Sequence, residues 1–447
     1  MASRIWWALS SVTLFVVAST AGIAWATSAA PATGPAPGMA PPVQQFILAN
    51  GLTVLLRPVA DANQVAVVTL FSIGNDHDPQ GKCGLAHLVE HLYTCCGAGD
   101  TKPRTAEQFF RQYPSRWNAC TGDDYTLYAT IVSRETLAAE LSDAAARMGA
   151  LNVTGGELDR EKARLISEVG NMFGGMPALA AGNLVRQQIR PGVEGTRRGG
   201  LPEQVRTISL ADIRDRLDRF YKPRNAVLAV AGGFDVAQIK AVIEKQFGSL
   251  PSGEGVAVAA SLQPPKLGAT ATTNVKPIRK GESQQVCIGF AAPRPDDAMY
   301  GPFLVLVTRM VARQAAIPCQ IHFAPLDDPA VFSLIMAPQA QETPQAAIDR
   351  LGAFVEGVST DPMNPGDAQA TLFGMGVLLG LVDMPDAMWA QNPYGLAFSL
   401  GRRYQLGFDP VKLRKAVEGV KTDDLRRAAG ELFAAKKRAA VIVQPTE

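Results

Sequence analysis

Histidine is scarce in this chain of 447 residues: there are 4, alongside 6 cysteines that form no C-x-x-C pair. The missing spacing argues against a zinc site built from cysteines. No long basic or acidic run occurs and the net charge is +2, so neither nucleic acid nor a polyanionic partner is indicated. Residues 27–44 carry no charge and are rich in Ala, Pro and Gly, the composition of a flexible spacer. Ahead of them, Arg4 precedes an apolar stretch from Ile5 to Ile23, and Ala24-Trp25-Ala26 fits the small-x-small rule for cleavage. Residues 1–26 therefore read as a signal peptide, or as an uncleaved N-terminal membrane anchor because the stretch is long. Either way the folded part is expected to be exported, periplasmic or anchored facing the periplasm. The remaining length and the 47% hydrophobic content are ample for two domains.

Two of the 4 histidines stand together. Gly84-Leu85-Ala86-His87-Leu88-Val89-Glu90-His91-Leu92 contains H-x-x-E-H, the inverted form of the zincin signature. On a helix His87 and His91 lie one turn apart on one face, so both imidazoles can reach one ion. Glu90 falls slightly to the side, in reach of a metal-bound water. Leu85, Leu88, Val89 and Leu92 follow the spacing of a buried stripe, which predicts a helix with one face packed and the other free. A catalytic zinc takes three protein ligands and leaves a fourth position for water. An acidic helix beginning near Glu157 offers the third: Glu161 and Glu168 are 168 − 161 = 7 residues apart and share a face to within about 20°.

These residues resemble the M16 family of inverzincin peptidases, in which about 76 residues separate H-x-x-E-H from a ligand Glu. Here 168 − 91 − 1 = 76. The resemblance implies zinc held by His87, His91 and Glu168, with Glu90 as the catalytic base and Glu161 supporting the site from behind. It continues in Asn50-Gly51-Leu52-Thr53-Val54, in Gly81-Lys82-Cys83-Gly84-Leu85-Ala86, in Asn118-Ala119-Cys120-Thr121 with Thr126 and Tyr128, and in Tyr221-Lys222-Pro223-Arg224-Asn225-Ala226. In relatives the strand holding the Asn-Ala stretch borders the cleft and can pair with an extended substrate. In relatives the segments holding Cys83, Cys95, Cys96 and Cys120 converge on the metal site. A disulfide from Cys120 to Cys95 or Cys96 is then expected in an oxidising compartment. Cys287 and Cys319 read as buried small hydrophobes.

The chain looks duplicated. Ser209 with Asp212 resembles a capping box before an apolar run, and Asp424-Leu425-Arg426 repeats Asp212-Ile213-Arg214 at an offset of 424 − 212 = 212. Val286 to Phe290 matches Val67 to Phe71, but the helix that follows reads Phe303-Leu304-Val305-Leu306-Val307-Thr308-Arg309, with no metal ligand. The expected architecture is α+β: two homologous domains, 45–250 with the zinc site and 276–447 without it, each a mostly antiparallel sheet carrying helices, joined by a Pro/Gly-bearing linker at 251–275.

One departure stands out. Many relatives carry an Arg and a Tyr in the metal-free domain that hold substrate. Arg309 is a candidate for that Arg, but Gln314 to Asp328 has no Tyr. Arg402, Arg403 and Tyr404 match in type only, and a solvated helix face explains them as well. His77, His322 and the triplet Asn152-Val153-Thr154 read as unremarkable. The resemblance implies an exported zinc endopeptidase acting on unfolded peptides, completed by a homodimer or a second M16-like subunit. Two other readings are an inert structural subunit and a peptide-binding protein that keeps zinc for stability.

Overall fold

The computed structural model describes residues 42–99, 102–103, 117–190, 199–256, 270–275, 283–328, 330–382, 384–407 and 409–446. The targeting segment 1–26, the spacer up to residue 41 and positions 257–269 of the linker lie outside the described residues. Among the described residues no helix is long and apolar enough to cross a membrane.

Two sheets organise the chain. The first runs β1-β2-β8-β3-β6-β5, from β1 (Gln44–Ile47), β2 (Thr53–Pro58), β3 (Gln64–Phe71), β5 (Trp117–Thr121), β6 (Thr126–Ser133) and β8 (Ala226–Gly232). The second runs β9-β13-β10-β12-β11, from β9 (Ala271–Val275), β10 (Gln285–Ala291), β11 (Gln320–His322), β12 (Val331–Met336) and β13 (Ala439–Pro445). A small ladder joins β4 (Gly97–Ala98) to β7 (Leu151–Asn152). Each large sheet has one parallel pair, β2 with β8 and β9 with β13, and is otherwise antiparallel. Apart from the edge strand β1, the order is the same in both, so the duplication read from Asp212 and Asp424 extends through both sheets. Both capping positions recur as well: Ser209 N donates to Asp212 Oδ2 at 2.6 Å and Lys421 N to Asp424 Oδ2 at 3.0 Å.

β8 is apolar throughout and β3 nearly so, with Thr69 the one polar residue past its first position, which requires both faces of the sheet to be covered. On one face Val65, Val67 and Phe71 meet the helix Leu85–Cys95 and its neighbours. On the other, Ala66, Val68 and Leu70 meet the second half of the chain. The covering helix there is Pro393–Leu406, which lies along β3 and β8. The exchange is reciprocal. Helix Pro177–Ile189 leaves the first half to pack on β10 and β13. Glycines permit both approaches: a Cβ on Gly401 would sit 2.3 Å from Leu70 Cδ1, and one on Gly289 would sit 2.1 Å from Val185 Cγ1. The exchange also crosses the proposed boundary between 45–250 and 276–447.

Charge locks each exchanged helix. Arg402, with no exposed surface, donates from Nη2 to both oxygens of Asp124 at 2.9 and 2.8 Å, from Nε to Leu326 O at 3.0 Å and from Nη1 to Gln405 Oε1 at 2.7 Å. Its guanidinium lies 4.0 Å from the Tyr125 ring centre. The solvated helix face expected for Arg402 is thus corrected; a guanidinium can be buried when most of its fork is matched. The counterpart is Arg186, since 402 − 186 = 216 and 393 − 177 = 216, and it pairs with the neighbouring Asp123. Arg190 holds Asp76 at 2.7 Å. Burial and then Asp123 nonetheless push the Asp76 carboxyl up to about 7.

In the second half the counterpart of the motif helix, Tyr300–Ala312, buries Phe303 through Val307 on all sides, with Phe303 5.1 Å from Phe323. Apolar packing fills the space that polar groups occupy in the first half. Arg309 is not available to substrate as expected. It is buried and donates to Asp367, to Asp361 O at 3.0 Å and to Pro362 O at 2.8 Å, tying its helix to the helix Asp367–Leu379.

Breaking a buried pair leaves one charge unmatched. Arg402→Ala is expected to lower the unfolding free energy by roughly 3–5 kcal/mol in urea titrations. The double variant Arg402→Met, Asp124→Leu should cost much less. Equal losses in both would show that the pair is not what holds the helix.

Candidate metal centre

The motif helix begins at an unusual backbone. Gly84 caps it with φ +102°, and a Cβ there would lie 2.8 Å from Val205 Cγ2 and 3.0 Å from Gly200 Cα, so only glycine fits. The first backbone donors of the helix go to one carboxylate: Gly84 N to Asp78 Oδ2 at 2.7 Å and Ala86 N to Asp78 Oδ1 at 2.9 Å. Arg216 Nη2 holds the same Asp78 at 3.1 Å. His77, next to it, is a structural acceptor: its Nδ1 takes the Gly74 N–H at 3.1 Å, and burial holds its ring down to about 4. Facing the motif helix is the helix Gly155–Gly175, capped by Thr154 with Glu157. Thr154 of the glycosylation-like triplet is therefore a helix cap, legible as T-x-x-E.

The two helices bring His87, His91 and Glu168 together. Their ligand atoms all lie within 4.8 Å of one another. His87 Nε2 is 3.6 Å from Glu168 Oε1, and His91 Nε2 is 3.6 Å from Glu168 Oε2. Tetrahedral zinc with bonds of 2.0–2.2 Å sets its ligand atoms about 3.4 Å apart, so this donor set fits that ion. Behind each imidazole stands an acceptor: Gly199 O is 3.1 Å from His87 Nδ1, and Glu161 Oε2 is 3.3 Å from His91 Nδ1. Those partners favour the proton on Nδ1 and leave both Nε2 lone pairs toward the common centre. Arg164 Nε donates to the same Glu161 oxygen at 2.6 Å. Gly199 is a contributor that sequence reading missed, because no side chain signals a carbonyl.

The charges are balanced around His91. Burial lowers the His87 ring and neighbouring His91 lowers it further. Burial pulls the same way on His91, but the Glu161 and Glu168 carboxylates outweigh it and raise that ring. Burial favours the neutral form of Glu168, yet His91 and His87 win and draw it down to about 2. Glu90 lies beside the three, and its Oε2 accepts from Thr121 Oγ1 at 2.7 Å.

The expected disulfide is absent. All six cysteines are buried and none is bonded to another. Strand alternation gives the reason. Ala119 faces the motif helix, while Cys120 points to the opposite face, among Tyr125, Leu127 and Ala129; Cys96 stays with the motif-helix core.

Because a proton must leave His91 before a metal can bind there, zinc affinity should fall at least about tenfold between pH 8 and pH 6. Glu161→Ala should weaken binding about 10–100-fold, and His87→Ala should lose the metal. Competition with a chromogenic chelator measures all three, and affinity independent of pH would remove the histidines as ligands.

A family profile described as Peptidase M16 inactive domain matches residues 207–316. An uncharacterized zinc protease of Rickettsia bellii is 25% identical over 210 residues, 46% of this chain and 50% of that protein; the match spans about half its length. Among solved structures, a protease from Helicobacter pylori superposes with a TM-score of 0.76 at 19% identity, covering 91% of this chain and all of that one. The periplasmic protease PqqL from Escherichia coli gives 0.70 at 17% identity, covering 90% of this chain and 48% of that one. The fold, the duplicated sheets and these matches together make the chain similar to the M16 peptidases.

Proposed function

We propose that this chain is an exported zinc-dependent endopeptidase, and the observation that carries the reading is the His87–His91–Glu168 cluster with Glu90 beside it. His87, His91 and Glu168 would hold the zinc. Bound there, the ion would lower the pKa of water in its open position and polarise the peptide carbonyl. Glu90 takes the proton from the attacking water and hands it to the leaving amine. Glu161, which touches His91 and not the common centre, orients that ring and compensates its charge. β5 is an edge strand of the first sheet, so an extended peptide can add to it by backbone pairing; this favours unfolded substrates. Since PqqL carries about twice the length matched here, a second copy or a second M16-like subunit would complete an enclosing chamber.

An inert structural subunit is favoured by one observation: Arg309 is spent on Asp367 and two carbonyls and is not free for substrate. The two readings part in one experiment. Purified residues 45–447, loaded with zinc, are expected to hydrolyse a mixed unfolded-peptide pool, and Glu90→Gln should keep the zinc while losing about 100-fold or more of the rate. Cleavage by the variant at the wild-type rate removes Glu90 as the base. Zinc-dependent melting without cleavage by either protein would establish a zinc-stabilised binding protein instead.

A further inference from the structure

Thr121 donates its hydroxyl hydrogen to Glu90 Oε2 at 2.7 Å. We propose that Thr121 is a positioning residue for Glu90, pinning one carboxylate oxygen so that the other is presented to the attacking water. The consequence for turnover rests on the hydrolytic reading above; the geometry does not.

A glutamate side chain turns about three bonds, and its terminal torsion is broad, so a carboxylate at an open site samples many orientations. A hydroxyl has a single hydrogen to donate, and here it goes to Glu90. What makes the donor effective is the rigidity of its backbone. Thr121 closes the edge strand β5 and pairs with Thr126 of β6. Asn75 Nδ2 donates to Thr121 O at 3.3 Å and to Gly122 O at 2.9 Å. Three residues back, Asn118 Nδ2 donates to Tyr394 Oη at 3.2 Å, which fastens the strand to the helix Pro393–Leu406. Strand alternation places Thr121 on the face of Ala119, toward the motif helix, and Asn118 on the other. The backbone that carries the hydroxyl is therefore held from three directions, by Thr126, by Asn75 and through Asn118 by Tyr394. The two residues are 31 positions apart, and the packing of the motif helix against β5 brings them together.

The test compares zinc-loaded full chain with Thr121→Val, which keeps the branched shape without the donor, Thr121→Ala, which also removes bulk, and Thr121→Ser, which keeps the donor. With a fluorogenic peptide taken from the cleaved pool, Val and Ala are expected to lower kcat about 10–100-fold, the range for a hydrogen bond to a charged group. KM should stay within about twofold, and Ser should return kcat to within about threefold. Zinc content and melting temperature should match the wild type in all three. Crystal structures should show Glu90 in one orientation in the wild type and in several in Val. Wild-type kcat in Val and Ala, failure of Ser to rescue, loss of zinc, or an unmoved Glu90 in Val would each overturn the proposal. If the wild type cleaves nothing, the hydrolytic reading falls, and the crystal comparison alone still decides whether Thr121 positions Glu90.

Discussion

The fold turns on a guanidinium with no access to water. Arg402 reaches from a helix of the second half to Asp124 in a turn of the first, and its remaining donors are met by Leu326 O and Gln405. A charge in that position is tolerated only because its partners are rigid and close; any one of them displaced would leave an unmatched ion in apolar surroundings. The adjacent residue Asp123 takes Arg186 from the helix exchanged in the other direction. Two neighbouring aspartates thus fasten two helices that cross in opposite senses. This turn joins β5 to β6, so the same few residues that bind the halves also set the edge strand beside the candidate metal centre.

The site and the joint are therefore one construction. Thr121 lies at the start of the turn and Asp124 near its middle, with Asn75 clamping the carbonyls between them. On the far side Asp76 and Asp78 flank His77, one facing Arg190 and the other capping the motif helix. Metal-binding groups on two helices need a fixed separation to bring three ligand atoms within reach of one ion. Here the two helices share one apolar core, and the segment leading into the motif helix is held by the pairs Asp78 with Arg216 and Asp76 with Arg190.

Much of this could be read from the chain, and the exceptions share a cause. H-x-x-E-H and the later Glu161 and Glu168 are legible because helical spacing is local and the chemistry admits few residue types. The duplication is legible because capping pairs and apolar runs recur at a constant offset. Arg402 was misread because a charged residue on a helix defaults to solvent, and its burial depends on an aspartate 278 positions away. Cys120 was misread for want of its strand's facing: shifting a side chain by one residue sends it through the sheet. The exchanged helices leave no mark in periodicity, since an amphipathic stripe says that a helix is covered and not by what.

The exchange of helices also sets an order in time. A chain made from its N-terminus exposes one face of β3 and β8 until the residues of Pro393–Leu406 have been synthesised. Until then Ala66, Val68, Leu70 and Ala229 form an apolar surface without a cover, and the loop that must close is among the longest in the molecule. The first half can close its own core on the motif-helix face early, while the other face stays exposed until the chain is nearly complete. The core on that face of the sheet closes only when the last quarter of the chain is present.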